Sequence, residues 1–339
     1  MKKSFILFTL AFFFLSIGLI YAQRVSARSE VINVRIASSL PRNSDWGRAL
    51  ERLASDWGRA KNNQVRAVVS HDGREGNESK MLSSLSSDAI QVAVLTSAGI
   101  AEICPEVMCL SLPFFIRNNT ELDLVLKEVQ PVLEGHVRNE FVVIAWSKGG
   151  WVYLFSKERV LTPNDLRQQL LGTSPGLNEM NTTFTKMGFK LVETDLSTIG
   201  TRLASNRLNA IYMIPAAIAP MQLHRSLNHL LDLPIAPIMG AIVMNRVTWN
   251  KISQDFQQEI LKATQRIANE FDASMARTEA SAISAMNRDG LSVNKPSQAQ
   301  QDTWFSDIQG AIPELVGTVF NRDLYNRMND ILVRSRNRR

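Results

Sequence analysis

Four stretches of this chain hold residue types capable of chemistry, and each lacks something that its chemistry needs. Gly172-Thr173-Ser174-Pro175-Gly176 matches the G-x-S-x-G pattern of a serine nucleophile on a strand-to-helix turn. That turn requires the residue after the serine to lend a backbone N–H to an oxyanion, and Pro175 has none. His224 and His229 stand five apart, which does not align them on one helix face as a metal pair needs. The acids of His71-Asp72-Gly73-Arg74-Glu75-Gly76-Asn77-Glu78 lack the alternating oxygen ligands of a calcium loop, and the segment reads as a polar loop capping the helix that follows. Cys104 and Cys109 are the only cysteines and have no neighbouring histidine, so they are not a zinc site. An oxidising compartment permits a bridge between them, two buried free thiols are the alternative, and geometry decides. No phosphate-cradling loop or dinucleotide fingerprint occurs. The residues therefore give no argument for an enzyme, a cofactor or a bound metal.

The elements around these stretches tell more. The chain has 339 residues, long for a single core, so two lobes are expected. Met1-Lys2-Lys3 and the apolar run 5–22 have the layout of a secretory signal, assigned to 1–22, with an uncleaved anchor as the alternative. No comparable apolar stretch follows, so the mature chain is expected to be soluble and periplasmic. Net charge is +6, but Lys2, Lys3, Arg334, Arg336, Arg338 and Arg339 account for all of it, leaving 23–333 neutral. No basic stripe interleaved with aromatics suggests a nucleic acid. The basic tail 334–339 reads as a solvated terminus.

From Glu30 onward strands alternate with helices. Strands are predicted at 31–37, 65–70 and 90–95, with helices between them marked by Trp46, Leu50, Leu53 and Trp57 and by Met81, Leu82 and Leu85. A second unit begins near Trp146, with strands at 151–155, 170–173, 189–192 and 211–214, and the run 235–244 is expected to cross back. This β-α-β alternation implies mostly parallel sheets flanked by helices. From about Ser253 to Asn287 an uninterrupted helical pattern carries Phe256, Ile260, Ile267, Phe271 and Met275 in threes and fours, and Asp289-Gly290 stops it. At ~1.5 Å per residue it is a rod of roughly 52 Å, longer than one lobe, so it is expected to pack across both.

Between these units lies Cys104-Pro105-Glu106-Val107-Met108-Cys109-Leu110-Ser111-Leu112-Pro113-Phe114-Phe115. Pro113 pushes Leu112 into extended backbone, which predicts a strand-to-loop exit with both phenylalanines on a cleft wall. The segment resembles the Pro-Glu...Leu-Pro-Phe stretch of the extracytoplasmic binding proteins of tripartite ATP-independent periplasmic (TRAP) transporters, the DctP-like P components. The resemblance covers about residues 30 to 310. It implies an α/β two-lobe periplasmic binding protein with hinge strands and one long helix behind the cleft. Lobe I would be 30–145 with 235–270, and lobe II 146–234 with 271–333. It also implies delivery of solute to the TRAP membrane subunits, the Q and M components.

Family members for organic acids usually clamp the ligand carboxylate with an arginine in a Leu-Arg-Val-Pro-like strand, because a planar guanidinium matches two carboxylate oxygens. Here that stretch is Leu170-Leu171-Gly172-Thr173-Ser174-Pro175, and the arginine is missing. Gly149-Gly150-Trp151-Val152-Tyr153 and Asn209-Ala210-Ile211-Tyr212-Met213 likewise carry apolar or aromatic groups where relatives carry polar ones. The departures predict a neutral or hydrophobic solute lined by Phe114, Phe115, Trp151, Tyr153, Thr173, Tyr212, Met213 and Met239. They also resemble the tetratricopeptide-associated (TatP-like) branch, which would add a tetratricopeptide-repeat periplasmic partner. An ABC-type binding protein without the long spanning helix, or a secreted enzyme, are the alternatives.

Overall fold

The computed structural model of the protein describes residues 31–59, 64–173, 178–195 and 197–337. The predicted signal at 1–22 lies outside the described residues, as do positions 174–176 of the G-x-S-x-G match.

Nine strands form one mixed sheet in the order β2-β1-β3-β8-β4-β7-β5-β6, with β9 beside β8. The strands are β1 Ile32–Ala37, β2 Val65–Ser70, β3 Val92–Thr96, β4 Phe141–Ser156, β5 Leu170–Thr173, β6 Lys190–Glu193, β7 Ala210–Met213, β8 His229–Asn245 and β9 Ser292–Asn294. One end, β2-β1-β3, is parallel, and so is the other, β7-β5-β6. The antiparallel pair β4 and β8 runs through the middle and joins them. Its ladder slips register between Val143 and Ala145, Lys148 and Trp151, and Val152 and Leu154. Such bulges bend a strand locally.

The predicted rod is a 35-residue helix, Gln254–Arg288. Its buried stripe of Phe256, Ile260, Thr264, Ile267 and Phe271 follows the 3.6-residue period. Asp289 caps it and Gly290 follows at φ 101°, a left-handed turn that glycine enters without strain. The helix packs on helix Asp45–Arg59 of the first lobe, on β4, and on helix Pro215–Ile218 of the second. Trp46 meets Phe271 at a centroid distance of 3.7 Å, which fixes the first contact. The helix thus touches both lobes.

Two expectations change, and the state of the cysteines, which the sequence left open, is decided. The apolar run after Pro105 is a 3-10 helix, Pro105–Ser111, and not the end of a strand, because proline at its first position favours a helical start. Leu112 is nevertheless extended (ψ 122°), as the following proline demands. Cys104 and Cys109 are free and buried, and burial, above all, pushes both thiols up to about 12. Finally, Arg334 and Arg336 belong to helix Arg322–Arg336 and not to a frayed tail. Arg336 reaches the buried carboxylate of Glu121 at 2.8 Å and the carbonyl of Phe115 at 2.6 Å. That anchors the C-terminal helix on Asn119–Val137, a first-lobe element, although the sequence division carries 271–333 with the second lobe.

Candidate functional site

A cavity of about 530 Å³ opens between the lobes. The first lobe gives it Thr96 from the end of β3 and Ser97 and Ala98 from the short helix that follows, with Met108 and Ser111 from the 3-10 helix. This lip is held by Glu78, whose carboxylate accepts the Thr96 backbone N–H at 3.1 Å and the Thr96 hydroxyl at 3.0 Å. Gly99 makes that reach possible, since a Cβ there would lie 2.1 Å from Glu78 Oε2. Ser97 Oγ donates to the Met239 carbonyl and accepts the Met239 N–H, each at 3.1 Å, tying the lip to β8.

The second lobe gives the remaining walls by strand parity. On β4, Val152 and Leu154 face the cavity, and on β5 Leu171 and Thr173 do so. Alternate residues point to opposite faces of a sheet, so Gly172 points away, where a Cβ would press on Leu208, Thr194 and Ile211 at 3.0–3.2 Å. Thr173, and not Gly172, therefore faces the cavity. Phe184, Phe189, Leu231, Trp304 and Ile308 close the space. The last two lie one turn apart on helix Gln298–Leu315, and Trp304 Nε1 donates to the Leu161 carbonyl at 2.9 Å.

The polar atoms are few and neutral. Thr173 Oγ1 donates to Asn181 Oδ1 at 2.8 Å and lies 3.2 Å from the Tyr212 hydroxyl. Since the Thr173 proton goes to Asn181, Tyr212 is the donor of the second bond, and its oxygen keeps its acceptor capacity. Among the described residues, those lining the cavity include no lysine, arginine, histidine, aspartate or glutamate. Among the described residues, no cluster of three His, Cys, Asp or Glu is placed to hold a metal.

Of the eight residues expected to line the cleft, Phe114, Thr173 and Tyr212 do so. Trp151 and Tyr153 occupy the other face of β4, toward the long helix. Trp151 N–H donates to Glu279 Oε2 at 2.9 Å, its indole donates to Asn119 at 2.9 Å, and the Tyr153 hydroxyl donates to Glu279 Oε1 at 3.0 Å. Met213 and Met239 pack in the main core, one residue out of phase with Tyr212 and Ile238, which face the cavity. Phe115 stacks on Tyr325 at 5.1 Å behind the cleft. Sequence reasoning missed Val152, Leu154, Leu171, Asn181, Trp304 and Ile308. The period-two pattern of β4 and the i, i+4 pair on the late helix are the signals that carry them.

On the hinge side, Asp272 of the long helix accepts from Ser147 Oγ at 2.9 Å and from Lys148 N–H at 2.8 Å. Burial holds Asp272 and Glu279 above the usual carboxylate range, against the hydrogen bonds that pull them down. Burial and the neighbouring Glu279 charge raise Tyr153 as well, so it remains a neutral donor.

The family model for bacterial extracellular solute-binding proteins of family 7, DctP, matches residues 36–316. A comparison with curated proteins finds no match. Among solved structures, a TRAP periplasmic solute-binding protein from Ochrobactrum anthropi, with its C-terminus bound in the ligand-binding pocket, is 13% identical with a TM-score of 0.83, covering 92% of this chain and 98% of its own. One from Ralstonia eutropha H16 with bound (S)-2-acetolactate is 17% identical with a TM-score of 0.77, covering 89% of this chain and 99% of its own. One from Sulfurospirillum deleyianum with bound succinate is 16% identical with a TM-score of 0.74, covering 88% and 99%. At such identities the likeness speaks for the fold, whereas the family match spans most of the chain. The two-lobe sheet, the helix behind it and that match establish that the chain belongs to family 7 of the bacterial extracellular solute-binding proteins, the DctP-type receptors of TRAP transporters, which bind solutes and are not enzymes.

Proposed function

We propose that this receptor captures a neutral, largely apolar solute between its lobes and presents it to the TRAP membrane subunits. The observation that carries the reading is the lack of any charged side chain among the described residues of the wall around Thr173. A carboxylate placed there would exchange water for leucine and phenylalanine with no cation to answer it, at a cost of several kcal/mol. An apolar ligand gains ~25 cal/mol for each Å² removed from water. Closure follows from the same geometry, because a ligand touching Thr96 and Ser97 on one side and Leu171 and Thr173 on the other favours the state in which both walls meet it.

The moving bodies in this proposal are 30–145 with 235–270 and the C-terminal helix against 146–234 with the rest of the chain to 321. The protein is exported, its first 22 residues serving as signal or anchor. Among the described residues no helix is long and apolar enough to cross a membrane. A tetratricopeptide-repeat subunit is a further partner in this reading, and co-purification from the producing cell is its test.

A second reading, a small carboxylate, is favoured by the acids bound in the structural neighbours. Calorimetric titration separates the two. Succinate, 2-acetolactate and uronates are expected to bind no tighter than roughly millimolar, ~4 kcal/mol, while straight-chain alcohols bind in the micromolar range or below. Submicromolar succinate or uronate binding would replace the first reading with the second.

A further inference from the structure

A second cavity, of about 260 Å³, lies behind the cleft. Pro113, Phe114 and Ile308 belong to the walls of both spaces, so one layer of side chains divides them. Beyond that layer the second cavity is lined by Phe115, Phe305, Ile312 and Tyr325, and it ends among Gln309, Asn329 and Arg336.

Phe114 is held in this dividing position against its own backbone preference. Its φ is 58°, the left-handed region that non-glycine residues seldom occupy. Its N–H donates to the Ile235 carbonyl of β8 at 2.6 Å. Its ring lies 5.3 Å from Trp304 and 6.1 Å from Phe305, and the Arg117 guanidinium covers Phe305 from 3.6 Å. The surroundings thus over-determine a conformation that costs energy, a pattern that accompanies function more often than packing.

The space behind offers hydrocarbon along Phe115, Phe305 and Ile312 and turns polar at Gln309, Asn329 and Arg336. Arg336, the one cation among its described lining residues, is already engaged by Glu121 and the Phe115 carbonyl. In front of Phe114, the neutral group of Thr173, Asn181 and Tyr212 suits a hydroxyl or carbonyl end, with the Tyr212 oxygen accepting and Asn181 Nδ2 donating the hydrogen that it does not give to Glu193.

We propose that Phe114 is the length limit of the site: the ligand is an unbranched aliphatic chain with one neutral polar end, and its tail stops at the Phe114 ring. The second cavity is the space that the limit withholds. This rests on the neutral-ligand reading above and adds the shape of the ligand and the residue that sets it.

The test titrates the full chain and its Phe114→Ala variant with 1-alkanols from six to sixteen carbons, read by tryptophan fluorescence and confirmed by calorimetry. In the unaltered protein, affinity rises about fourfold with each methylene up to a limiting length and then stops rising. In Phe114→Ala that limit moves at least two carbons longer, and alcohols beyond the original limit bind about tenfold tighter or more than they do to the unaltered protein. Phe114→Gly, which suits the left-handed backbone, and Ile308→Ala, which thins the same partition, are expected to move the limit in the same direction should Phe114→Ala fold poorly. Phe115→Ala enlarges only the rear space and leaves the limit where it was. An unchanged limit in the Phe114 and Ile308 variants, or an equal shift in Phe115→Ala, overturns the assignment of Phe114 while leaving the neutral-ligand reading intact. Failure of every alcohol to bind the unaltered protein overturns both.

Discussion

The two faces of β4 around residue 152 lie a side chain apart and have opposite chemistry. Toward the cleft, Val152 and Leu154 contribute hydrocarbon to a wall without charge. Toward the long helix, Trp151 and Tyr153 meet Glu279, and Ser147 and Lys148 meet Asp272. Both acids are partly buried and accept backbone and side-chain donors from the strand that joins the lobes. On the proposed reading, the charge beside β4 holds the hinge side, while the ligand surface is left to shape and area. Solute binding should therefore respond to carbon content and little to pH, whereas the hinge should respond to pH.

The largest effect that would break this contrast comes from putting charge where there is none. Thr173→Arg sets a guanidinium among Leu154, Leu171 and Phe184, and the uncompensated cation should cost an apolar ligand about 3 kcal/mol or more, at least a hundredfold in affinity. The same substitution restores the clamp geometry for a carboxylate, so succinate should gain affinity while decanol loses it. Parallel calorimetric titrations decide it, and a variant that binds decanol as before would show that residue 173 does not touch the ligand.

Removing charge from the other face is expected to act on stability. Glu279→Ala leaves the Trp151 N–H and the Tyr153 hydroxyl without their acceptor and should lower the unfolding free energy by ~2 kcal/mol in urea. Glu279→Gln can still accept the N–H and should cost less. The pH dependence separates the two further. A carboxyl whose folded pKa lies above its unfolded value favours the fold fully below the unfolded value, and loses that contribution as pH rises through the folded one. Stability of the unaltered protein should thus decline above the ordinary carboxylate range as Asp272 and Glu279 ionise, and Glu279→Gln should flatten part of that decline. A slope unchanged by Glu279→Gln would remove Glu279 from the account.

The smallest effect tests strand parity. Trp151→Phe deletes the indole bond to Asn119 and should cost ~1 kcal/mol of stability with no change in ligand affinity. Any loss of ligand binding beyond twofold would return Trp151 to the cleft.

Much of the architecture was readable before the structure because it depends on periodicity. The strands at 65–70 and 170–173 fall where apolar runs end at turn-forming residues, and the helix at 254–288 follows an apolar stripe unbroken by proline or glycine. The site was less readable. Choosing Trp151, Tyr153, Met213 and Met239 followed residue type, yet in a strand the side-chain period is two, and an error of one position moves a residue to the opposite face. The bulge in β4 between Lys148 and Trp151 resets that phase near residue 150, which no local pattern announces. Trp304 and Ile308 lie far along the chain from the rest of the wall, and only tertiary packing brings them there. Thr173 could be placed because a familiar strand pattern lacked its usual arginine.

The β4–β8 ladder carries a consequence for how the molecule assembles. Its partners flank the segment 157–228 of the second lobe, with Ser156 opposite His229 at the near end and Phe141 opposite Asn245 at the far end. Bringing two strands together across so long a loop sacrifices chain entropy before any pairing returns it. Contacts of such sequence separation slow folding relative to local helices and hairpins. In the proposed closure mechanism the strands that flex between open and closed states are therefore expected to pair late, after 157–228 has become compact enough to shorten the loop. Mutations that weaken this ladder should slow refolding more than they speed unfolding only if that pairing is already made in the transition state.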